Sequence, residues 1–133
     1  MKSVKVADYM ARRLHTFSAD TNVFAAMKVF LDNGISGAPV VDDAGGLIGV
    51  LSEVDLMNVI VHGSYHDDTA GLVSDYMQKE VETVPPDMDI YSLAELFVRD
   101  HRRRYPVLDD GRLVGQISRR DVLRAMKEFT ERR

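Results

Sequence analysis

Two short strings stand out for the chemistry they can support: Ser52-Glu53-Val54-Asp55 and Ser118-Arg119-Arg120-Asp121. Each sits where a strand-like apolar run gives way to a helical pattern. A carboxylate accepts two hydrogen bonds at once, which suits the vicinal hydroxyls of a ribose. The serine, with the first amides of the following helix, suits a phosphate. The same spacing also makes a capping box, in which Ser caps the helix and Asp bonds back to it. On these residues alone both roles stay open. Thr16 and Thr83, ahead of two other helical patterns, carry hydroxyls that can reach a ligand or simply serve a strand or turn.

The run His101-Arg102-Arg103-Arg104 is the other concentration of polar chemistry. Arginine forks hold phosphate oxygens bidentately. A cationic run at a helix end also complements the helix dipole without any ligand. His62, His66, Asp67 and Asp68 carry metal-ligating groups, but Gly63 and Ser64 disfavour the helix that would bring the histidines together. They read as a polar linker, and no metal is expected. A catalytic constellation is missing. The chain has no cysteine, no Gly-x-Ser-x-Gly, no P-loop and no dinucleotide-binding glycine fingerprint. An enzyme is therefore not expected.

Composition narrows the classes further. The chain has 133 residues, 45% apolar and 29% charged, which fits one folded domain or a tightly fused pair. Its net charge of −4 argues against a nucleic-acid partner. No apolar run approaches the roughly 18–20 residues that cross a bilayer, so no membrane association is expected. The N-terminus lacks a signal-like stretch, and a cytoplasmic protein is the expectation.

The elements that must position these groups come in two copies. Val6-Ala7-Asp8-Tyr9-Met10 returns as Val73-Ser74-Asp75-Tyr76-Met77. At the same offset Thr16 meets Thr83, Phe30 meets Phe97, and Pro39-Val40 meets Pro106-Val107. After a one-residue gap at Ala44, Gly49 meets Gly115, Ser52 meets Ser118 and Asp55 meets Asp121. Between Val6 and Asp55, 16 of 49 aligned positions are identical, in one order, so the chain is an internal duplication. Its parts read as residues 1–61, a linker at 62–71, and residues 72–133.

Each copy spells the same elements. Val23, Ala26, Met27, Phe30 and Leu31, and again Ile90, Leu93, Ala94, Phe97 and Val98, give one apolar helical face. Asp20 or Thr21 is placed to cap the first of these helices, and Gly34 to end it. Two apolar runs around an Asp-Asp turn follow, at 38–51 and 105–117, and predict a hairpin. Pro39 and Pro106 are expected at strand starts or edges. A last helix carries Val54, Leu56, Met57 and Ile60 in one copy, and Val122, Leu123 and Met126 in the other. A unit near 60 residues is marginal alone, so the two are expected to share a core.

This pattern resembles the tandem cystathionine-β-synthase (CBS) domain pair, or Bateman module. The carrying residues are Val6-x-Asp8-x-Met10, Thr16, Gly34-Ile35-Ser36-Gly37-Ala38-Pro39-Val40-Val41-Asp42 and Gly49-Val50-Leu51-Ser52-Glu53-Val54-Asp55-Leu56. Their partners are Val73-x-Asp75-x-Met77, Thr83, Arg104-Tyr105-Pro106-Val107-Leu108-Asp109 and Gly115-Gln116-Ile117-Ser118-Arg119-Arg120-Asp121-Val122. The resemblance implies an α+β fold of α/β-like layout. Two βαββα repeats would pack sheet to sheet about a pseudo-two-fold, leaving two clefts. Family members bind AMP, ADP, ATP, S-adenosylmethionine or dinucleotides there. They usually regulate an attached enzyme, channel or transporter. With nothing attached here, a stand-alone module acting through its own dimer or an unidentified protein partner is expected.

In the family each cleft takes its Thr and pre-proline strand from one repeat and its Ser-x-x-Asp from the other. Carried over, the favoured cleft holds Thr16, Ile35, Ser36, Gly37, Ala38, Ser118 and Asp121, with Arg103 and Arg104 near the phosphate. The second holds Thr83, Arg104, Tyr105, Pro106, Ser52 and Asp55. The first joins small residues that can seat a base to a basic end, reinforced by Arg119 and Arg120. In the second, the bulk of Tyr105 and the charge of Glu53 oppose an anion. The lead expectation is a regulatory module sensing AMP, ADP or ATP. The alternative is a ligand-free dimerising scaffold with degenerate clefts. The apolar residues Tyr9, Met10, Leu14, Leu123, Met126 and Phe129 exceed the needs of a two-unit core, and predict a homodimer.

Overall fold

The computed structural model describes residues 4–62 and 71–131. The elements run α1 (Val6–Tyr9), α2 (Val23–Asn33), β1 (Gly37–Val41), β2 (Leu47–Ser52), α3 (Glu53–Val61), α4 (Val73–Tyr76), α5 (Ile90–Asp100), β3 (Arg104–Asp109), β4 (Arg112–Ser118) and α6 (Arg119–Glu131). The fold is α+β, with two small antiparallel sheets, β1–β2 and β3–β4. Most of the linker reading at 62–71 lies outside the described residues, and so do His66, Asp67 and Asp68.

The described residues form two compact units, and these differ from the sequence repeats in membership. Residues 15–62 and 71–81 form the first-sheet unit, around β1–β2. Residues 4–14 and 82–131 form the second-sheet unit, around β3–β4. Each short Val-x-Asp-x-Met helix thus joins the sheet of the other copy. The reason is burial: Val6 and Met10 fall in one core with Leu93, Tyr105, Val107 and Ile117. Val73 falls in the other, with Val23, Phe30, Val40 and Leu51. The Asp of that motif accepts the amide at the helix start, Lys5 N–H to Asp8 Oδ2 at 3.1 Å and Leu72 N–H to Asp75 Oδ2 at 2.9 Å.

The helical faces divide in two. Val23, Ala26 and Phe30 of α2 and Ile90, Leu93 and Phe97 of α5 are buried as their spacing predicts. Leu31 and Val98, expected on the same faces, are instead 82% and 75% exposed. In α3 Leu56 and Val59 are buried, while Val54, Met57 and Ile60 are exposed. In α6 Val122 and Ala125 are buried, while Leu123, Met126 and Phe129 are exposed. Each unit therefore carries a second apolar stripe outside its own core. Met10, counted as surplus by the sequence reading, is a core residue.

Capping corrects one expectation. Asn22, not Asp20 or Thr21, caps α2, its Oδ1 accepting from Phe24 N–H at 2.8 Å and Ala25 N–H at 3.4 Å. Asp20 instead takes the Ser18 hydroxyl at 2.7 Å. Gly34 ends the helix as expected, at φ 62°. Its counterpart His101 adopts the same left-handed turn, at φ 56°.

The prolines sit as expected, on edge strands: each sheet has two strands, and Pro39 lies in β1 and Pro106 in β3. Each is the third residue of a strand that pairs on one side with β2 or β4, and on the other with residue 17 or 84. A strand residue points its N–H and C=O to the same side. Pro39 O accepts Phe17 N–H at 3.1 Å and Pro106 O accepts Val84 N–H at 3.1 Å. The missing donors therefore face away from β2 and β4, toward a single bridge, and the hairpin ladders lose nothing.

Candidate functional site

The Ser-x-x-Asp strings fall at the hairpin-to-helix junctions, at the end of β2 and of β4. Locally each is a capping box. Ser52 N–H and Oγ–H donate to Asp55 Oδ2 at 2.8 and 3.0 Å, and Asp55 N–H donates to Ser52 Oγ at 3.2 Å. Ser118 and Asp121 repeat this at 2.9, 3.0 and 3.3 Å. Capping uses Oδ2 in both copies and leaves Oδ1 for other work. The two readings of the motif are therefore compatible.

The Oδ1 atoms differ. Asp55 is 3% exposed, and its Oδ1 accepts Gln78 Nε2–H at 2.9 Å. Gln78 arrives because its backbone pairs with Val50 of β2, N–H to O at 2.9 Å in both directions. Asp121 is half-buried, and its Oδ1 meets Arg124 Nη2 at 3.2 Å. That pair is open to solvent on the arginine side, where ion pairs are weak. Arg124 also donates to Tyr9 O at 3.1 Å and lies over the Tyr9 ring at 5.1 Å.

The basic run is brought to Ser118 and Asp121. Arg104 pairs in register with Ser118. Arg119 N–H donates to Arg103 O at 3.1 Å, and Arg119 Nε–H to Arg102 O at 2.7 Å. Arg102 reaches Glu82 at 3.7 Å. Arg103, Arg119 and Arg120 are exposed, and Arg104 is half-buried. A carboxylate thus sits among several cations that can meet phosphate oxygens.

In the first-sheet unit the small strand lies against the other motif. Gly37 pairs with Ser52, and Glu53 N–H donates to Ser36 O at 3.2 Å. Ile35, Ser36 and Gly37 are half-buried and Ala38 is buried. Thr16 is exposed, one residue before the bridge to Val40, and Thr83 stands in the same place before the bridge to Val107. Of the residues grouped for the favoured site, Thr16 and Ile35–Ala38 belong to the first-sheet unit. Arg103, Arg104, Ser118 and Asp121 belong to the second-sheet unit. Of the second grouping, Ser52 and Asp55 belong to the first-sheet unit, and Thr83, Tyr105 and Pro106 to the other.

The Tyr105 side chain is occupied elsewhere. It is 1% exposed, its ring lies 4.8 Å from that of Phe97, and its hydroxyl meets Asp100 Oδ2 at 3.1 Å and Leu96 O at 3.3 Å. Burial, then the Asp100 carboxylate, push the phenol up to about 12. Arg99 holds Asp100 through two hydrogen bonds, at 2.9 and 3.1 Å, and brings its carboxyl down to about 2. Among the described residues no cluster of His, Cys, Asp or Glu could hold a metal ion. No helix among them is long and apolar enough to cross a membrane. Sequence reasoning missed Gln78 and Arg124; the repeat alignment, which sets Gln78 against Ala11, held the only signal for the first.

Two α+β units, each with a hairpin ending in a Ser-x-x-Asp helix start, define a duplicated domain of one fold. The chain belongs to the CBS-domain family: the CBS domain model matches residues 6–62 and 73–128. The structure is similar to that of CBSX2 from Arabidopsis thaliana, with 28% identity and a TM-score of 0.82 over 98% of this chain and 99% of that one. CBSX2 in complex with AMP matches at 29% identity and a TM-score of 0.85, over 96% and 98% of the two chains. The chain is also 28% identical, over 97% of its length, to the A-adding tRNA nucleotidyltransferase of Aquifex aeolicus. It is 32% identical, over 96%, to the inosine-5'-monophosphate dehydrogenase of Methanocaldococcus jannaschii. It spans 15% of the first of these enzymes and 25% of the second.

Proposed function

We propose that this CBS pair is a regulatory module that binds an adenine nucleotide, AMP, ADP or ATP, with Asp121 as the ribose acceptor. The observation that carries this is the division of labour within Asp121. Oδ2 caps α6, while Oδ1 faces an exposed arginine that a ribose hydroxyl can displace. Ser118 and the arginines 103, 104, 119 and 120 supply the phosphate end. The likeness to CBSX2, seen in complex with AMP, supports the ligand class. Binding acts on a partner only through a difference in affinity between two arrangements of the protein.

The test is calorimetric titration with AMP, ADP and ATP, and with GMP as control. Asp121→Asn keeps the shape of the cap and removes the charge. Loss of a hydrogen bond to a charged acceptor, about 1.5–3 kcal/mol, weakens the nucleotide by roughly ten- to a hundredfold. An unchanged affinity removes Asp121 from the site.

A second reading rests on the outer apolar stripes. A groove of about 760 Å³ between α5 and α6 is lined by Tyr91, Val98, Met126 and Phe129. One of about 430 Å³ between α2 and α3 is lined by Leu31, Met57 and Ile60. These faces favour a homodimer, whether or not a nucleotide binds, and a dimerising scaffold is the reading that remains if the titrations are flat.

A further inference from the structure

The two Asp carboxylates occupy equivalent places in the duplication, yet their second oxygens have different neighbours. This contrast reaches further than the reading of Asp121 on which it rests. In the first-sheet unit, residue 78 lies alongside β2 through the paired Val50–Gln78 hydrogen bonds. In the second-sheet unit, Ala11 lies alongside β4 in the same way, with Ala11 N–H to Gln116 O at 2.8 Å and Gln116 N–H to Ala11 O at 3.0 Å. The backbones match and the side chains do not. Gln78 carries an amide that donates to Asp55 Oδ1 at 2.9 Å; Ala11 carries a methyl group and offers Asp121 nothing.

From this we infer that Gln78 is an internal substitute for a ligand hydroxyl. It closes the Asp55 site, so that the chain takes one nucleotide, at Asp121, instead of two. An ionised carboxylate is an acceptor only, and a ribose hydroxyl at Asp55 Oδ1 must share that oxygen with the glutamine amide or displace it. Gln78 is solvent-exposed while Asp55 is almost wholly buried, and the hydrogen bond that joins them is itself partly buried, so the amide belongs to the cover that keeps Asp55 from solvent. Its tether is intramolecular, and it competes at a high effective concentration with any dissolved nucleotide. Glu53 beside Asp55, where the other copy has Arg119, sets a negative charge against a phosphate at the same place.

The experiment is isothermal titration of the full chain with AMP, read as stoichiometry, for three proteins whose folding is first checked by thermal melting. The wild type is expected to bind one AMP per chain. Gln78→Ala is expected to bind a second, with the affinity of the first unchanged. Ala11→Gln, which places the same amide beside Asp121, is expected to weaken the wild-type site at least tenfold. Two AMP per wild-type chain, or one per chain in Gln78→Ala, overturns the inference and leaves the nucleotide-binding reading standing. No AMP bound by any of the three overturns that reading, and this inference with it.

Discussion

Met10 packs against Gly115 so closely that a Cβ on the glycine would stand 2.6 Å from the methionine Sδ and 2.8 Å from Ala11 O. The same relation holds at Gly49, with Met77 Sδ at 2.7 Å and Gln78 O at 2.9 Å. These glycines let the segment after each short helix come against a hairpin, and at Gly49 that approach delivers Gln78 to Asp55. In each case one of these neighbours is a backbone oxygen, which cannot swing aside. Gly49→Ala and Gly115→Ala are each expected to destabilise the protein by about 1–3 kcal/mol, the range for overpacked sites. Chemical denaturation measures this; a loss near zero would show that the backbone separates without strain.

His101 ends α5 at φ 56°, where its repeat counterpart is Gly34. A side chain in the left-handed region costs about 1 kcal/mol. His101→Gly is expected to raise stability by about 0.5–1 kcal/mol, and Gly34→Ala to lower it by about 1 kcal/mol. Opposite signs in paired thermal melts are the result that counts.

Asp100 links Arg99 to the buried Tyr105 hydroxyl, and its folded pKa of about 2 lies below the ordinary 3.8. Between these values the unfolded chain binds the proton and the folded chain does not. The contribution is present above about 3.8 and drains away as pH falls toward 2. Melting curves from neutral pH downward are expected to show a steeper acid loss for the wild type than for Asp100→Asn. Parallel curves would mean that Asp100 gives no linkage.

Val98 and Met126, 75% and 51% exposed, line the groove between α5 and α6. Light scattering is expected to find a dimer in the wild type and a monomer in the Val98→Glu, Met126→Glu double variant, which still unfolds cooperatively because neither side chain is in the core. A wild-type monomer would dismiss the dimer outright.

Much of the candidate site's local geometry was legible early because the motif is local. Ser52 and Asp55, or Ser118 and Asp121, are three residues apart, and a helix start forces them together. Arg103 and Arg104 were legible as cations, and their approach to Ser118 followed from hairpin register. Gln78 was not legible as a neighbour of Asp55, since 23 residues separate them and a single backbone bridge joins them.

Periodicity, duplication and motif order, all carried by near neighbours along the chain, were enough to assign the α+β class, the two hairpins and the helices that flank them. Three outcomes belonged to tertiary structure alone. Burial of Val6 and Val73 set each short helix on the sheet of the other copy. Strand register turned the missing N–H of Pro39 and Pro106 away from the hairpin, toward an isolated bridge to residue 17 or 84. Packing divided each apolar face into a buried and an exposed stripe, because a helix spacing states that residues share a face and is silent on how much of that face a neighbour will cover.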